Sequence, residues 1–321
     1  SMERLLITLI LVCTMSNITN AQNPFYGQYH TPHGTVPFDR IETEHYEPAI
    51  LEGIKLQNAE IEAIIQNPEK ADFSNTIEAF EESGELLDKV VAVFGNMLSA
   101  ETNDDLQELA QKIMPLLSEH SNNITLNEKL FARVKEVYNQ KETLQLTQEQ
   151  KQLLENAYNS FVRHGANLEG EAREEYRRLT NELSKLTLTF SENNLKETNA
   201  YQMLLTKKES LAGLPEIIIE AAAETAKSEE KEGWAFTLHA PSYVPFMTYS
   251  DNRDLRQKLY MAYNTKCTHD NEFNNIDIVK NIANTRMKIA QLLGYKDYAE
   301  YTLKKRMAEN SKSVYKLLNQ L

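Results

Sequence analysis

Three of the seven histidines, His30, His33 and His45, fall within the run YGQYHTPHGTVPFDRIETEHY, residues 26–46, together with Glu42 and Glu44. Imidazoles beside carboxylates are what a zinc hydrolase requires: ring nitrogens hold the metal and a carboxylate activates its water. A helical zinc motif places two histidines four apart, with a glutamate beside the first, so that both rings share one face. His30 and His33 are three apart, separated by Thr31 and Pro32, in a segment that Pro32 and Pro37 bar from helix. Spacing and backbone are both wrong for ligation. A loop-borne site using His45 with Glu42 or Glu44 would need side chains that converge in space, which nearness in sequence does not supply. The reading is therefore an extended arm over residues 23–40, with His45 in the first turn of a helix carrying Ile50, Ile54, Ile61 and Ile65.

The other histidines are isolated: His120 at a helix end, His164 just before Gly165, His239 in a predicted hairpin and His269 in a polar loop. All are read as structural, with His239 the one placed to donate to a peptide beside a groove. Cys267 has His269 two residues on, a pairing too local and too polar for a nucleophile and its base. No G-x-S-x-G elbow, P-loop, G-x-G-x-x-G or H-E-x-x-H occurs in the 321 residues. Acidic runs such as EAFEESGE and KSEEKEGW read as solvated helix faces. No catalytic, cofactor-binding or metal-binding residue is assigned.

The elements that would position such residues are mostly helices. Ile77, Phe80, Gly84, Leu87, Val91, Phe94 and Leu98 recur in steps of three and four, lining one helix face, and Gly84 on that stripe predicts close approach of a neighbour. Tyr176, Leu179, Leu183, Leu186 and Phe190 repeat the pattern, with Glu174 paired to Arg178 one turn on. Further helices are predicted over 44–66, 103–119, 127–139, 148–164, 215–227, 251–265, 276–293 and 297–308. Pro115 predicts a kink, Thr147 with Gln150 a capping box, and Gly165 a stop. Strand-like alternation at Trp234, Phe236 and Leu238, then Phe246, Thr248 and Tyr249, predicts one β-hairpin over 234–250, with Pro245 on an edge strand. The last run, SKSVYKLLNQL, opens an amphipathic helix that breaks off after about two turns, shorter than the roughly 12 to 15 residues an isolated helix needs.

With 41% hydrophobic and 25% charged residues, the composition is that of a globular, helix-rich chain. A net charge of −13, with no run of lysines and arginines long enough to make a basic patch, argues against nucleic acid as a partner. Ser1 reads as a tag residue. The apolar run Leu5–Val12, following Arg4 and leading to Ala21, reads as a secretory signal peptide, so residues 1–21 are expected to be removed on export to the periplasm. That run is too short to span a bilayer, which takes roughly 20 apolar residues, so no membrane partner is expected after cleavage. Loss of Cys13 would leave Cys267 alone, with no intramolecular disulfide. The domain reading is thus 1–21 tag residue and signal, 22–40 arm, and 41–321 a helical domain.

VPFDRIETEHYEPAILEGI, NTIEAFEESGELL, LNEKLFARVKEVY, FVRHGANL, LSKLTLTFSENNL, YSDNRDLRQKLYMAY and MKIAQLLGYKDYAEYTLKKRMAEN, in that order, resemble the N-terminal half of the zinc oligopeptidases related to thimet oligopeptidase. Within that family the likeness is greatest to the bacterial peptidyl-dipeptidases, with oligopeptidase A next. The resemblance implies a mainly α fold: the multi-helix N-terminal portion of a two-half metallopeptidase clasping a channel that admits short oligopeptides. It also implies zinc in the full-length protein, bound by an H-E-x-x-H helix and a later glutamate, and water attack on a peptide bond with release of C-terminal dipeptides. The family's zinc motif has no counterpart here, so the chain is read as a channel wall truncated before the catalytic part. On this reading it is inactive and zinc-free by itself, and its partners are oligopeptide substrates and the missing catalytic part. The alternatives are an oligopeptidase A-like endopeptidase and a non-catalytic helical peptide-binding module.

Overall fold

The computed structural model describes residues 23–321, and the proposed signal segment lies outside the described residues. The described chain divides into two compact units, residues 23–184 with 288–321, and residues 185–287.

The first unit is helical. It contains α1 Thr43–Ile65, α2 Glu85–Ala100, α3 Asp104–Thr125, α4 Glu128–Asn139, α5 Gln148–Arg163 and the start of α6 Gly170–Ala200. Its caps are the predicted kind: Thr147 and Gln150 form a capping box on α5, and Asn103 and Asn127 accept backbone N–H bonds at the starts of α3 and α4. Gly165, in a left-handed conformation at φ 90°, follows the α5 cap. Pro115 lies inside α3, which continues beyond it.

The stripe from Ile77 to Leu98 is not one helix. A π-helical turn, Phe73–Glu78, runs into Ala79–Glu81, and Gly84 at φ 80° then restarts the chain as α2. The apolar phase survives the break because Ile77 before it and Leu87 and Phe94 after it are all buried, and periodicity cannot reveal a break of that kind. Close approach does occur at Gly84, where a Cβ would sit 2.5 Å from Gln57 Nε2 on α1. One turn earlier on α1 the contact is with backbone and not with a side chain, since a Cβ on Gly53 would meet the Leu87 Cα and N at 2.9 Å. The two helices pack backbone to backbone there.

The main core joins Ile61 and Ile64 of α1 to Phe73, Ile77, Leu130, Phe131, Val134, Leu154 and Phe161. Phe161 is its aromatic centre, with ring centroids 5.3 Å from Phe80 and 5.8 Å from Phe131. The α3–α6 contact carries hydrogen bonds: Asn122 Nδ2 donates to Thr180 Oγ1 at 2.8 Å, and Arg177 Nη1 reaches Glu119 at 2.7 Å. Arg178 pairs with Glu175 and Glu182, whereas Glu174 lies beside Arg177 at 4.0 Å, so the predicted Glu174–Arg178 pair is replaced. This unit ends with α10 Ile276–Leu292 from Lys288 onward, α11 Tyr298–Leu303 and α12 Ser311–Leu318.

The second unit holds the end of α6, strands β1 Met203–Leu205 and β2 Trp234–Phe236, and α7 Glu216–Ser228, α8 Ala240–Tyr249, α9 Arg253–Asn264 and the start of α10. β1 and β2 pair antiparallel in the register Met203↔Phe236 and Leu205↔Trp234. The hairpin expected over 234–250 is therefore corrected: its first strand is real, but its partner is Met203–Leu205, and residues 240–249 are helix. Pro241 lies in the first turn of α8, where a missing N–H costs nothing, and the Ser242 hydroxyl accepts from Thr237 N at 3.0 Å. Pro245 lies inside that helix and not on a strand edge. Phe246 then reaches the core, 4.7 Å from Phe236 edge to face.

Candidate functional site

Each predicted chemical residue has a definite place. His45 braces the start of α1: Glu42 N donates to its Nδ1 at 2.9 Å, and its own N–H donates to Glu42 O at 3.0 Å. The ring nitrogen thus occupies the position that a glutamine or glutamate takes in a capping box. Asn23 Nδ2 donates to His45 O at 2.9 Å, while Phe25, fully buried, packs against Tyr46 with ring centroids 5.4 Å apart. The two rings are tilted by 45° and not stacked face to face, and together with the Asn23 bond this contact fastens the arm to the helix. His30 is exposed, and His33 is exposed in the turn Pro32–Gly34 at φ 59°. The structure does not bring the three rings together as ligands, and among the described residues no group of three or more His, Cys, Asp or Glu is arranged to hold a metal ion.

His120 is the buried histidine, with its Nε2 2.7 Å from Gln57 Oε1; Gln57 Nε2 in turn donates to Ser83 Oγ at 3.3 Å. Burial disfavours the imidazolium and holds its pKa below the usual histidine value. Because the folded-state pKa is depressed, the neutral ring's contribution to stability is present above the unfolded value of 6.5 and is lost as pH falls through the folded pKa. Thermal midpoints recorded from pH 7.5 down to pH 5 should fall less steeply for His120→Gln, which keeps a donor for Gln57, than for the parent. Parallel profiles would contradict this assignment.

His164 caps α5, with its Nδ1 2.7 Å from Ser160 O. His239 is the N-cap residue of α8, its carbonyl accepting from Ser242 and Tyr243 at 3.0 and 2.8 Å, so it serves a helix start and not a hairpin.

Cys267 and His269 do not form a dyad. His269 Nε2 lies 3.3 Å from Thr265 Oγ1, while Cys267 is buried, at φ 59°, with its backbone N–H and thiol both bonded to Glu197. Burial and then the Glu197 charge push the thiol up to about 11, so it stays protonated and weakly nucleophilic at neutral pH. Burial opposes the Glu197 charge, yet hydrogen bonds from Asn271 and Cys267 hold that carboxyl below its ordinary range. Glu197 therefore pins the 265–275 loop onto the end of α6. Sequence reasoning missed it because its partners are 70 and 74 residues away.

A cleft of about 550 Å³ in the first unit is lined by Tyr26, Glu52, Leu56, Glu85, Leu86 and Lys89. The Lys89 ammonium is committed to structure, donating to Gly27 O at 2.8 Å and lying 4.6 Å from the Tyr29 ring centre. Burial lowers the Lys89 pKa and the neighbouring Glu85 opposes this. None of these groups is paired as nucleophile and base.

Comparison with known proteins supplies what the geometry lacks. Residues 246–321 match the model of peptidase family M3. The chain is 34% identical over 300 residues to dipeptidyl carboxypeptidase of Escherichia coli (strain K12), covering 93% of this chain and 44% of that protein. It is 30% identical over 303 residues to oligopeptidase A of Salmonella typhimurium, with the same two shares, 93% and 44%. A probable cytosolic oligopeptidase A of Arabidopsis thaliana matches at 28% over 93% of the chain and 43% of its own length. The chain thus spans less than half the length of the curated relatives it matches.

Proposed function

Because this chain is similar to a dipeptidyl carboxypeptidase and to oligopeptidases A over nearly all of its length, and matches the family M3 model over residues 246–321, we propose that it is the helical, non-catalytic portion of a zinc metallopeptidase that cleaves short oligopeptides. The observation that carries this reading is the extended similarity to peptidases joined to the lack of any H-E-x-x-H run in the 321 residues. Nothing among the described residues fits zinc, so no step of metal chemistry is assigned to this chain. Its part is to build the wall against which a peptide is confined, and the metal and the general base belong to the remainder of the whole protein. The apolar run Leu5–Val12 supports export, with cleavage before Gln22 and a periplasmic destination.

Two modes of cleavage compete. Dipeptidyl carboxypeptidases from two bacteria match at 34%, whereas the bacterial oligopeptidases A match at 30 to 32%, which favours release of C-terminal dipeptides over internal cleavage. A chimera tests this: residues 1–321 followed by the rest of the E. coli dipeptidyl carboxypeptidase beyond the matched span. The expected protein is recovered from the periplasm beginning at Gln22, carries one zinc, and removes dipeptides from the free C-terminus of a peptide but not from an amidated one. Cleavage of internal bonds in both peptides would favour the oligopeptidase mode, and a folded, zinc-loaded but inert chimera would contradict the peptidase reading.

A further inference from the structure

Acidic residues are unevenly distributed along this chain. Residues 39–108 hold 18 Asp and Glu against four Lys and Arg, a net −14, so this stretch alone accounts for the charge of the whole. It builds α1, α2 and the start of α3, and two open clefts flank α1. The cleft on the α3 side, about 610 Å³, is lined by the apolar side chains of Pro48, Leu51 and Leu109. Glu44, Glu47, Asp105 and Glu108 line the same cleft. The cleft of about 550 Å³ on the α2 side adds Leu56 and Leu86, with Glu52 and Glu85. Leu51 and Leu56 are 46% and 42% exposed, so apolar side chains stand in water at both clefts.

Helix dipoles explain part of this charge and leave the rest. Glu44, Glu85 and Asp105 lie in first turns, where a carboxylate offsets the free N–H groups. Glu47, Glu52 and Glu108 lie past the first turn, where that effect has faded. Glu47 pairs with Lys112 at 2.5 Å and Glu52 with Lys55 at 3.3 Å, while the Lys89 ammonium is turned to Gly27 O.

Charge and size together define the occupant. A second copy laid face to face would set carboxylate against carboxylate across the same apolar residues. Each cleft has the volume of a small-ligand site, with room for a few side chains and not for the face of a folded protein. An oligopeptide that offers apolar side chains to the leucines and lysine or arginine to the carboxylates matches both features.

We propose that this α1 surface binds cationic, amphipathic oligopeptides and draws them from solution ahead of neutral or acidic ones. The recruiting role rests on the oligopeptidase reading above. Binding itself does not, and is measured on the chain without any cleavage.

Fluorescence anisotropy tests it, with a labelled dodecapeptide of lysine and leucine beside one in which glutamate replaces each lysine. The 321-residue chain should bind the lysine peptide at least about 10-fold more tightly, and raising salt from about 50 to 300 mM should remove most of that difference. Glu44→Lys with Glu108→Lys should weaken binding by at least about 10-fold, and Leu51→Ser, which leaves the charge intact, by about 5-fold. Glu220→Lys with Glu224→Lys on α7 makes the same change of net charge elsewhere and should leave affinity within about 2-fold. Equal losses for the two charge-reversed pairs would overturn the proposal, since net charge and not the α1 surface would then attract the peptide. Sedimentation showing that the chain pairs with itself as concentration rises, with peptide affinity falling in step, would overturn it in favour of a second copy. A folded chimera with the E. coli remainder that no longer binds the lysine peptide would also overturn it, because the face would then be covered. A chimera that binds the peptide at this face but cleaves nothing supports the proposal and contradicts the functional reading.

Discussion

Phe161→Ala should cost the first unit about 3 to 5 kcal/mol, the range expected for deleting a fully buried ring. Phe161 is 1% exposed and lies where α4, α5 and the π-helical turn meet, touching Phe80 and Phe131 at ring-centroid distances of 5.3 and 5.8 Å. Removing the ring forfeits its transfer free energy and leaves a void that three surrounding elements cannot all close. The aromatic pairs add about 0.5 to 1.5 kcal/mol each beyond their buried area. At roughly 2 to 4 °C per kcal/mol for a unit of this size, the first unit's thermal midpoint should fall by about 6 to 20 °C. Phe38→Ala is the control: that ring is 50% exposed, and its loss should lower the midpoint far less. Similar shifts for the two variants would mean that the core is not centred on Phe161.

Gly53→Val should be almost as damaging, by the opposite route. A Cβ at position 53 lies 2.9 Å from the Cα and N of Leu87, which are backbone atoms and cannot turn aside as a side chain does. Relief requires α1 and α2 to separate along their contact, a strain of about 1 to 3 kcal/mol or more for overpacking. Valine brings two further methyl groups to the same place and gains little helix propensity. Gly53→Ala adds only the Cβ and recovers about 1 kcal/mol of propensity, so it should be the milder change. Urea unfolding would rank them, with Gly53→Val reaching its midpoint first. Equal midpoints for parent and Gly53→Val would show that α1 and α2 are not packed backbone to backbone.

Much of this architecture is legible locally. Helical spacing locates α1, α4, α5, α7 and α10 to within a residue or two, because each buries one face and periodicity reports that directly. Residues 240–249 mislead because aromatic residues and prolines suit a strand with a turn as well as a helix with proline in its first turn. Spacing favours the helix only once Tyr243, Phe246 and Met247 are taken together, as i, i+3 and i+4. The break at Gly84 is hidden because buried apolar residues keep the same spacing on both sides of it. The roles of Gln57 and Glu197 depend on partners 63 to 74 residues away, and no local pattern encodes them.

For function, the same division holds. The wrong spacing of His30 and His33 is visible in the sequence, and the structure adds a positive role for His45 as the brace of α1. The peptidase reading comes from the resemblance and the comparisons, and from no metal-holding cluster among the described residues.

The central proposal is that this chain is a wall of a peptidase and not its reactive centre. Peptide hydrolysis by the purified 321-residue chain, with and without a zinc chelator and beside the chimera, tests it most directly. The account expects no turnover by the chain under either condition and chelator-sensitive dipeptide release by the chimera. Chelator-sensitive cleavage by the chain alone would contradict it.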